Sequence, residues 1–225
     1  MKINIKNFYC IEALIESNPE IIEFINIPNT KDKKISELTV NAKQSGIKIL
    51  NKSKDFYAAC KEPAVRDIKS ANYEIGKSVL IFDEVQDTRN LGSCLRTASF
   101  FGINSVIIPK NNSADFNNTA VIETSTGGVY DLDLYKVANI SQTINKLKEN
   151  NYWVTGFSEH AKKDINTLMP SEKNVFVFGN EQKGIKQLVL KNCDEVLKIK
   201  QIGQTSSLNI SIAAAIATYT LTNKI

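Results

Sequence analysis

A chain of 225 residues with 42% hydrophobic and 23% charged side chains holds enough apolar material to bury a sizeable core. Its net charge is a mild +4, but residues 31–77 carry eleven Lys/Arg and six Asp/Glu, a local +5 that suits either a phosphate backbone or a plain solvated face. The opening MKINIKNFYC is charged without an apolar h-region, and no stretch approaches the roughly 20 apolar residues of a membrane span, so secretion and membrane insertion are not expected and the cytoplasm is.

In chain order, FYCIEALIES places Ile11, Leu14 and Ile15 at helical spacing. EIIEFINIP reads as a strand stopped by Pro28, and DKKISELTVNAKQSG as an amphipathic helix on Ile35, Leu38 and Ala42 closed by Gly46. IKIL reads as a short strand. These elements make a first unit over residues 1–55, and the polar, irregular stretch 56–77 is expected to be a linker. From residue 78 onward, apolar runs alternate with helical patterns. Strands are expected at VLIFD, SVIIP, VYDLDLY, YWVTGF, NVFVFG and EVLKI, and helices at 92–101, 117–124, 140–150, 184–192 and 207–221. This alternation predicts an α/β fold with a mainly parallel sheet over residues 78–225. Ligands of such sheets bind beyond the carboxyl ends of the strands.

The four cysteines, Cys10, Cys60, Cys94 and Cys193, are scattered without a CxxC pair and read as reduced thiols of a cytosolic protein. The single histidine, His160, has no cysteine cluster beside it; it reads as a surface-loop residue, and no metal site is expected.

Three loops follow three strands. DTRNLGSCLR spells N-x-G-x-x-x-R with Asn90, Gly92 and Arg96. Asn90 stands at the expected helix start, Gly92 admits a close backbone neighbour, and Arg96 lies where a long side chain leans back toward the helix N-terminus. The pair is a working site, or a helix cap and a surface charge. FGNEQKGIKQL carries Gly179, Asn180, Glu181 and Gly184 but lacks the Lys-Ser/Thr of a phosphate loop and the G-x-G-x-x-G of a dinucleotide fold. Glu181 is expected at a helix N-terminus, where a carboxylate is favoured and could be only a cap. KIKQIGQTSSLNISIAAAIATYTL turns at Gly203–Ser207 and enters a helix with Leu208, Ile212, Ile216 and Tyr219 on one face; Ser207 and Asn209 stand in its first turn, where caps also occur.

Taken together and in this order, N-x-G-x-x-x-R, G-N-E-x-x-G-I and S-S-L-N-I-S-I-A resemble the three motifs of the SpoU/TrmH family of RNA ribose 2′-O-methyltransferases, within the SPOUT superfamily. The resemblance covers residues 78–225 closely. Residues 1–50 resemble, more loosely, the L30e-like RNA-binding domain of the subgroup that methylates a guanosine of 23S ribosomal RNA. It implies a catalytic domain with a C-terminal trefoil knot, S-adenosylmethionine as cofactor, RNA as partner and a homodimer. It maps cofactor contacts onto Gly179, Ile199 and Leu208, with Thr155, Gly156 and Ile202 nearby. It maps functional side chains onto Asn90, Arg96, Glu181, Ser207 and Asn209. Departures are Thr88 where the family usually has proline, which should loosen the turn before Asn90, Gln182 in place of a small residue, and Tyr9-Cys10 where Gly-His is common. Transfer RNA as target, or RNA binding without catalysis, are the readings that compete with it.

Overall fold

A computed structural model describes residues 2–205 and 207–224. The chain begins with strand β1 (Lys2–Ile5), helix α1 (Phe8–Ser17), strand β2 (Ile22–Asn26), helix α2 (Lys33–Gln44), strand β3 (Lys48–Leu50) and strand β4 (Tyr57–Lys61). Residues 56–77, expected as a linker, thus contain a strand. Ala58, Ala59 and Cys60 of β4 are buried, because β4 is an inner strand of a mixed sheet ordered β1-β4-β2-β3. Small side chains suit that place, sandwiched between two neighbours. β1 was unread as well, although Ile3 and Ile5 point inward and Asn4 outward at the strand period of two.

The second sheet takes strands β5 (Val65–Arg66), β6 (Ser78–Phe82), β7 (Ser105–Pro109), β8 (Asp133–Val137), β9 (Trp153–Phe157), β10 (Lys163–Asp164), β11 (Asn174–Phe178) and β12 (Glu195–Lys198). Their order is β10-β12-β9-β11-β6-β7-β8-β5, and the pairings are parallel. The strands alternate with helices α3 (Thr88–Phe100), α4 (Thr119–Thr124), α5 (Ile140–Glu149), α6 (Gln187–Asn192) and α7 (Ile210–Thr222). The segment VYDLDLY splits: Gly128–Asp131 is a 3₁₀ turn and the strand starts at Asp133.

Inner strands buried on both faces need apolar side chains at every position. Val79 and Ile81 of β6 pack with α5 and α6 residues, while Leu80 and Phe82 pack with α3, α4 and α7. That second core runs without a break into the N-terminal unit through Leu14, Ile15, Ile5 and Cys60. Polar contacts follow the same seam. Glu123 at the end of α4 accepts from the backbone N–H groups of Lys6 and Asn7, at 2.7 and 3.0 Å. Asp131 accepts from Asn18 of the first unit and from Ser99 of α3, at 3.0 and 2.6 Å.

The cysteines are free. Burial pushes the Cys10, Cys60 and Cys193 thiols up to about 12 and Cys94 higher still. All four are therefore protonated at neutral pH and serve as small core residues. No helix among the described residues is long and apolar enough to cross a membrane.

Candidate active site

Beyond the carboxyl ends of β9, β11 and β12 opens a cleft of about 1420 Å³. Helix α3 borders it, and its start explains part of the geometry. The expectation placed Asn90 at the helix start; the structure begins the helix earlier, because the Asp87 carboxylate accepts from the N–H groups of Arg89 and Asn90 at 2.8 and 2.9 Å. Asn90 therefore lies in the first turn with its side chain free for other work. Thr88 occupies the first helical position, the one where proline is also welcome. The Asp87 cap closes this turn without proline.

The loop after β11 folds back on itself. Asn180 and Gly184 exchange backbone hydrogen bonds of 3.1 and 2.9 Å, the Asn180 side-chain oxygen accepts from Gln182 and Lys183 N–H, and Gly184 takes φ +66°. A Cβ on Gly179 would lie 2.0 Å from the Gly184 carbonyl carbon. Only glycine fits there. This hairpin also corrects the expected helix over 184–192, since α6 starts at Gln187. Glu181 is thus in a turn and not on the first turn of its own helix. Its carboxylate instead meets the entrance of α3, accepting from Gln86 and Asp87 N–H at 3.4 and 3.2 Å.

Three of the mapped side chains form one chain of contacts. Asn209 Nδ2 donates to Asn90 Oδ1 at 2.9 Å, and Asn90 Nδ2 donates to Glu181 Oε1 at 3.2 Å. Asn209 also caps α7, accepting from Ser211 N–H at 2.8 Å. The first helical residue is therefore Ile210, later than the 207 expected. Ser207, Leu208, Ile199, Ile202 and Gly179 line the cleft with them. Thr155 and Gly156 do not: Thr155 is fully buried and donates to Glu195 at 3.3 Å, while Gly156 packs against Cys193 Sγ. Phe157 and Ser158, the next residues of that strand end, take the wall position.

Arg96 is exposed and has no hydrogen bond or ion pair among the described residues. It lies six residues beyond Asn90, about 9 Å along the helix axis. Its Cα stands 3.6 Å from where a Cβ of Gly128 would be, beside α4. Gly92 on the same helix face admits α4, whose Val121 carbonyl oxygen would come within 2.8 Å of an added Cβ.

Sequence reasoning missed an anchor beneath the hairpin. Asp83, buried at the end of β6, accepts from Lys186 N–H at 3.2 Å. Lys186 Nζ pairs with Glu84 at 2.7 Å and stands 3.9 Å from Asp83. Burial raises the Asp83 carboxyl above its ordinary value, against the pull of Lys186; the Lys186 contact holds Glu84 below its own. A charged residue directly after four buried strand positions was the available signal. Asp83→Ala should remove the acceptor of a hairpin N–H, at a cost of about 2 kcal/mol. Calorimetry should show a melting temperature lower by about 4–8 °C, with weaker ligand binding in the cleft.

The cleft mixes apolar walls with oxygen acceptors. Ile202 is 91% exposed and Leu208 49% exposed at its rim, and Glu159, Asp164 and Glu181 add carboxylates. His160 sits on an exposed loop of this wall, 3.5 Å from Glu159. Among the described residues no group of His, Cys, Asp and Glu is placed to hold a metal ion. Lys183, Lys198 and Lys200 line the cleft too, so the site suits a flat apolar ring attached to a polar tail that carries charges of both signs.

Comparison with known proteins agrees with this arrangement. Residues 77–219 match the SpoU rRNA Methylase family. A TrmH family tRNA/rRNA methyltransferase homologue of Staphylococcus aureus (strain MSSA476) is 34% identical over 231 residues, covering 95% of this chain and 92% of its own. The SpoU methyltransferase AviRb of Streptomyces viridochromogenes, solved in complex with AdoMet, superposes with a TM-score of 0.78 at 19% identity, over 99% of this chain and 90% of AviRb. A solved RNA 2′-O ribose methyltransferase gives a TM-score of 0.79 at 19% identity, over 99% and 88%. With a family match over most of the catalytic region and a relative aligned nearly end to end, this chain belongs to the SpoU rRNA Methylase family.

Proposed function

We propose that the protein transfers a methyl group from S-adenosylmethionine to a ribose 2′-hydroxyl of RNA, with a guanosine of 23S ribosomal RNA as the target. The observation that carries this reading is the Asn209–Asn90–Glu181 chain at the mouth of a half-apolar cleft, in a chain of this family. The cofactor supplies a methyl group on a cationic sulfonium. The residues present fit it: Ile202, Leu208 and Ile199 offer apolar contact to an adenine ring, and the backbone around Gly179 and Ile199 offers carbonyl oxygens.

An in-line displacement draws most of its catalysis from holding donor and acceptor in line. Asn90, fixed from both sides by Asn209 and Glu181, orients the ribose. Glu181 holds the hairpin against the α3 entrance. Ser207 and Asn209 shape the opposite lip. Arg96 stabilises the developing alkoxide and grips the adjacent phosphate, tasks suited to a planar fork of donors that stays charged. The structure does not bring Arg96 into the cleft beside Asn90: it stands on the α4-facing side of α3, exposed and free to meet RNA that reaches over from the cleft.

The homodimer and the knotted chain path belong to the same proposal. Ile212 and Tyr219 of α7 point outward, at 50 and 58% exposure, Leu208 just before the helix is 49% exposed, and Phe100 of α3 is 80% exposed. Apolar surface of this kind is normally covered, and a second copy is the cover we propose.

Methyl transfer from labelled S-adenosylmethionine, with ribosomal and transfer RNA offered side by side, tests the reading. Label on the 2′-oxygen of a 23S guanosine is the expected result. Label on transfer RNA alone would keep the chemistry and replace the target. Cofactor binding without label on either RNA, in free or subunit form, would leave an RNA-binding protein and overturn the catalytic reading.

A further inference from the structure

Glu84 stands two residues after β6 with φ +64°, a left-handed conformation that side chains rarely adopt. Glycine takes it freely, and asparagine tolerates it; a glutamate there costs backbone free energy. A second residue of this kind faces it. Asn112, in the loop after β7, has φ +58°, and its Nδ2 donates to Glu84 Oε1 at 3.2 Å. Strain of this sort is retained beside active sites where the surrounding contacts make use of the residue.

Glu84 holds the hairpin after β11 at both of its ends. Where the hairpin begins, Asn180 Nδ2 donates to the Glu84 carbonyl oxygen at 2.9 Å. Just past its end, Lys186 Nζ pairs with the Glu84 carboxylate at 2.7 Å. Asn180 in turn offers its side-chain oxygen to Gln182 and Lys183 N–H, at 3.0 and 3.1 Å, so the turn itself hangs on the same contact. The residue after Glu84 ties in the third loop: the Val85 carbonyl accepts from Ala114 N–H at 2.8 Å and from Ser113 Oγ at 3.1 Å. One short segment thus fastens the loops that follow β6, β7 and β11.

Glu84 and Lys186 stay outside the cleft lining, whereas Gly179, Glu181 and Gln182 of the fastened hairpin form part of it. With side chains 20 and 55% exposed, the ion pair adds little to the stability of the whole fold. Its effect is local, on the shape of the hairpin.

We propose that Glu84 is a positioning residue for cofactor binding, its carboxylate clamping the hairpin over residues 180–184 in the shape the cofactor meets. The proposal rests on the reading of the cleft as the S-adenosylmethionine site and takes nothing from the RNA step.

The test uses the full-length protein, first without any ligand. Amide hydrogen exchange at Gln182, Lys183 and Gly184 should be about tenfold faster in Glu84→Gly, and S-adenosylmethionine affinity about tenfold weaker. The melting temperature should be unchanged, because glycine relieves the backbone as the ion pair is lost. In methyl transfer the loss should fall on KM for the cofactor and not on kcat, since bound cofactor orders the hairpin again. Lys186→Met should act on the same amides, and adding Glu84→Gly to it should cause little further loss. Wild-type exchange at the three amides in Glu84→Gly would overturn the proposal. So would a loss of affinity accompanied by a lower melting temperature and faster exchange throughout the sheet, or two substitutions whose effects simply multiply. Exchange and cofactor affinity as expected, with no methyl transfer by the wild type, would count against the proposed function alone.

Discussion

Arg96→Ala should lower methyl transfer by about 10²–10³-fold or more while the protein keeps its melting temperature and its affinity for S-adenosylmethionine. The side chain is exposed, makes no hydrogen bond or ion pair among the described residues and lies outside the cleft lining, so its removal leaves no polar partner stranded. On the proposed function the variant loses a fixed positive charge that the bound RNA brings against the developing alkoxide, and a group of that kind is worth this much. Single-turnover rates at saturating cofactor and RNA provide the measurement. Arg96→Lys discriminates further. It keeps the charge but not the planar fork, so its turnover should remain well below that of the wild type. Unchanged turnover in Arg96→Lys would remove the bidentate role assigned to this residue.

Gly179→Ala should act on the opposite term. The added methyl would stand 2.0 Å from the Gly184 carbonyl carbon, 2.1 Å from Ile185 N and 2.3 Å from the Gly184 oxygen. All three are backbone atoms, so the hairpin must open. Such overpacking costs about 1–3 kcal/mol, and opening displaces Glu181 from Asn90 together with the cleft wall. The expected result is a loss of about 100-fold in S-adenosylmethionine affinity, read by calorimetry, with a melting temperature lower by a few degrees. Gly203→Ala is the control. It lines the same cleft, but an added Cβ there meets nothing within 4 Å, so binding should be unaltered. Equal binding by both variants would show that the hairpin does not shape the cofactor site.

The parallel sheet was legible because an inner strand buried on two faces must be apolar throughout. VLIF, SVII and VFVF stand out between polar turns for that reason. β4 was hidden by the same physics acting on small residues. YAACK fills a crowded inner position with alanine and cysteine, whose propensities do not announce a strand. Two helix starts differ because a cap outweighed the pattern, Asp87 moving one earlier and Asn209 moving one later, and the Asn180–Gly184 hairpin defers α6 to Gln187. The sequence places Leu208, Ile212, Ile216 and Tyr219 on one helix face, but Leu208 precedes α7, and Ile212 and Tyr219 are exposed. The buried face, however, is Ile210, Ala214, Ala217 and Leu221, because a helix apolar on all sides gives no phase to read. The resemblance supplied Asn90, Glu181 and Asn209 one by one. Their meeting depends on β11 lying beside β6, an order that no local pattern encodes. Asp83 stood out only as a charge after an apolar strand, and its pairing with Lys186 was not legible because it exists only across that same pair of strands.

The core that runs from Leu80 and Phe82 into Leu14, Ile5 and Cys60 has a thermodynamic meaning as well as a spatial one. Two bodies joined by a tether can melt separately, and damage to one leaves the other at work. Here the N-terminal sheet and the cleft-bearing sheet share their interior, so a single unfolding transition is the expected result of calorimetry. A lesion in β4, tens of residues from any cleft side chain, is therefore felt as lost enzyme and not as weakened grip on RNA. Removal of residues 1–61 would liberate no catalytic module; it would strip α3 and α4 of their cover.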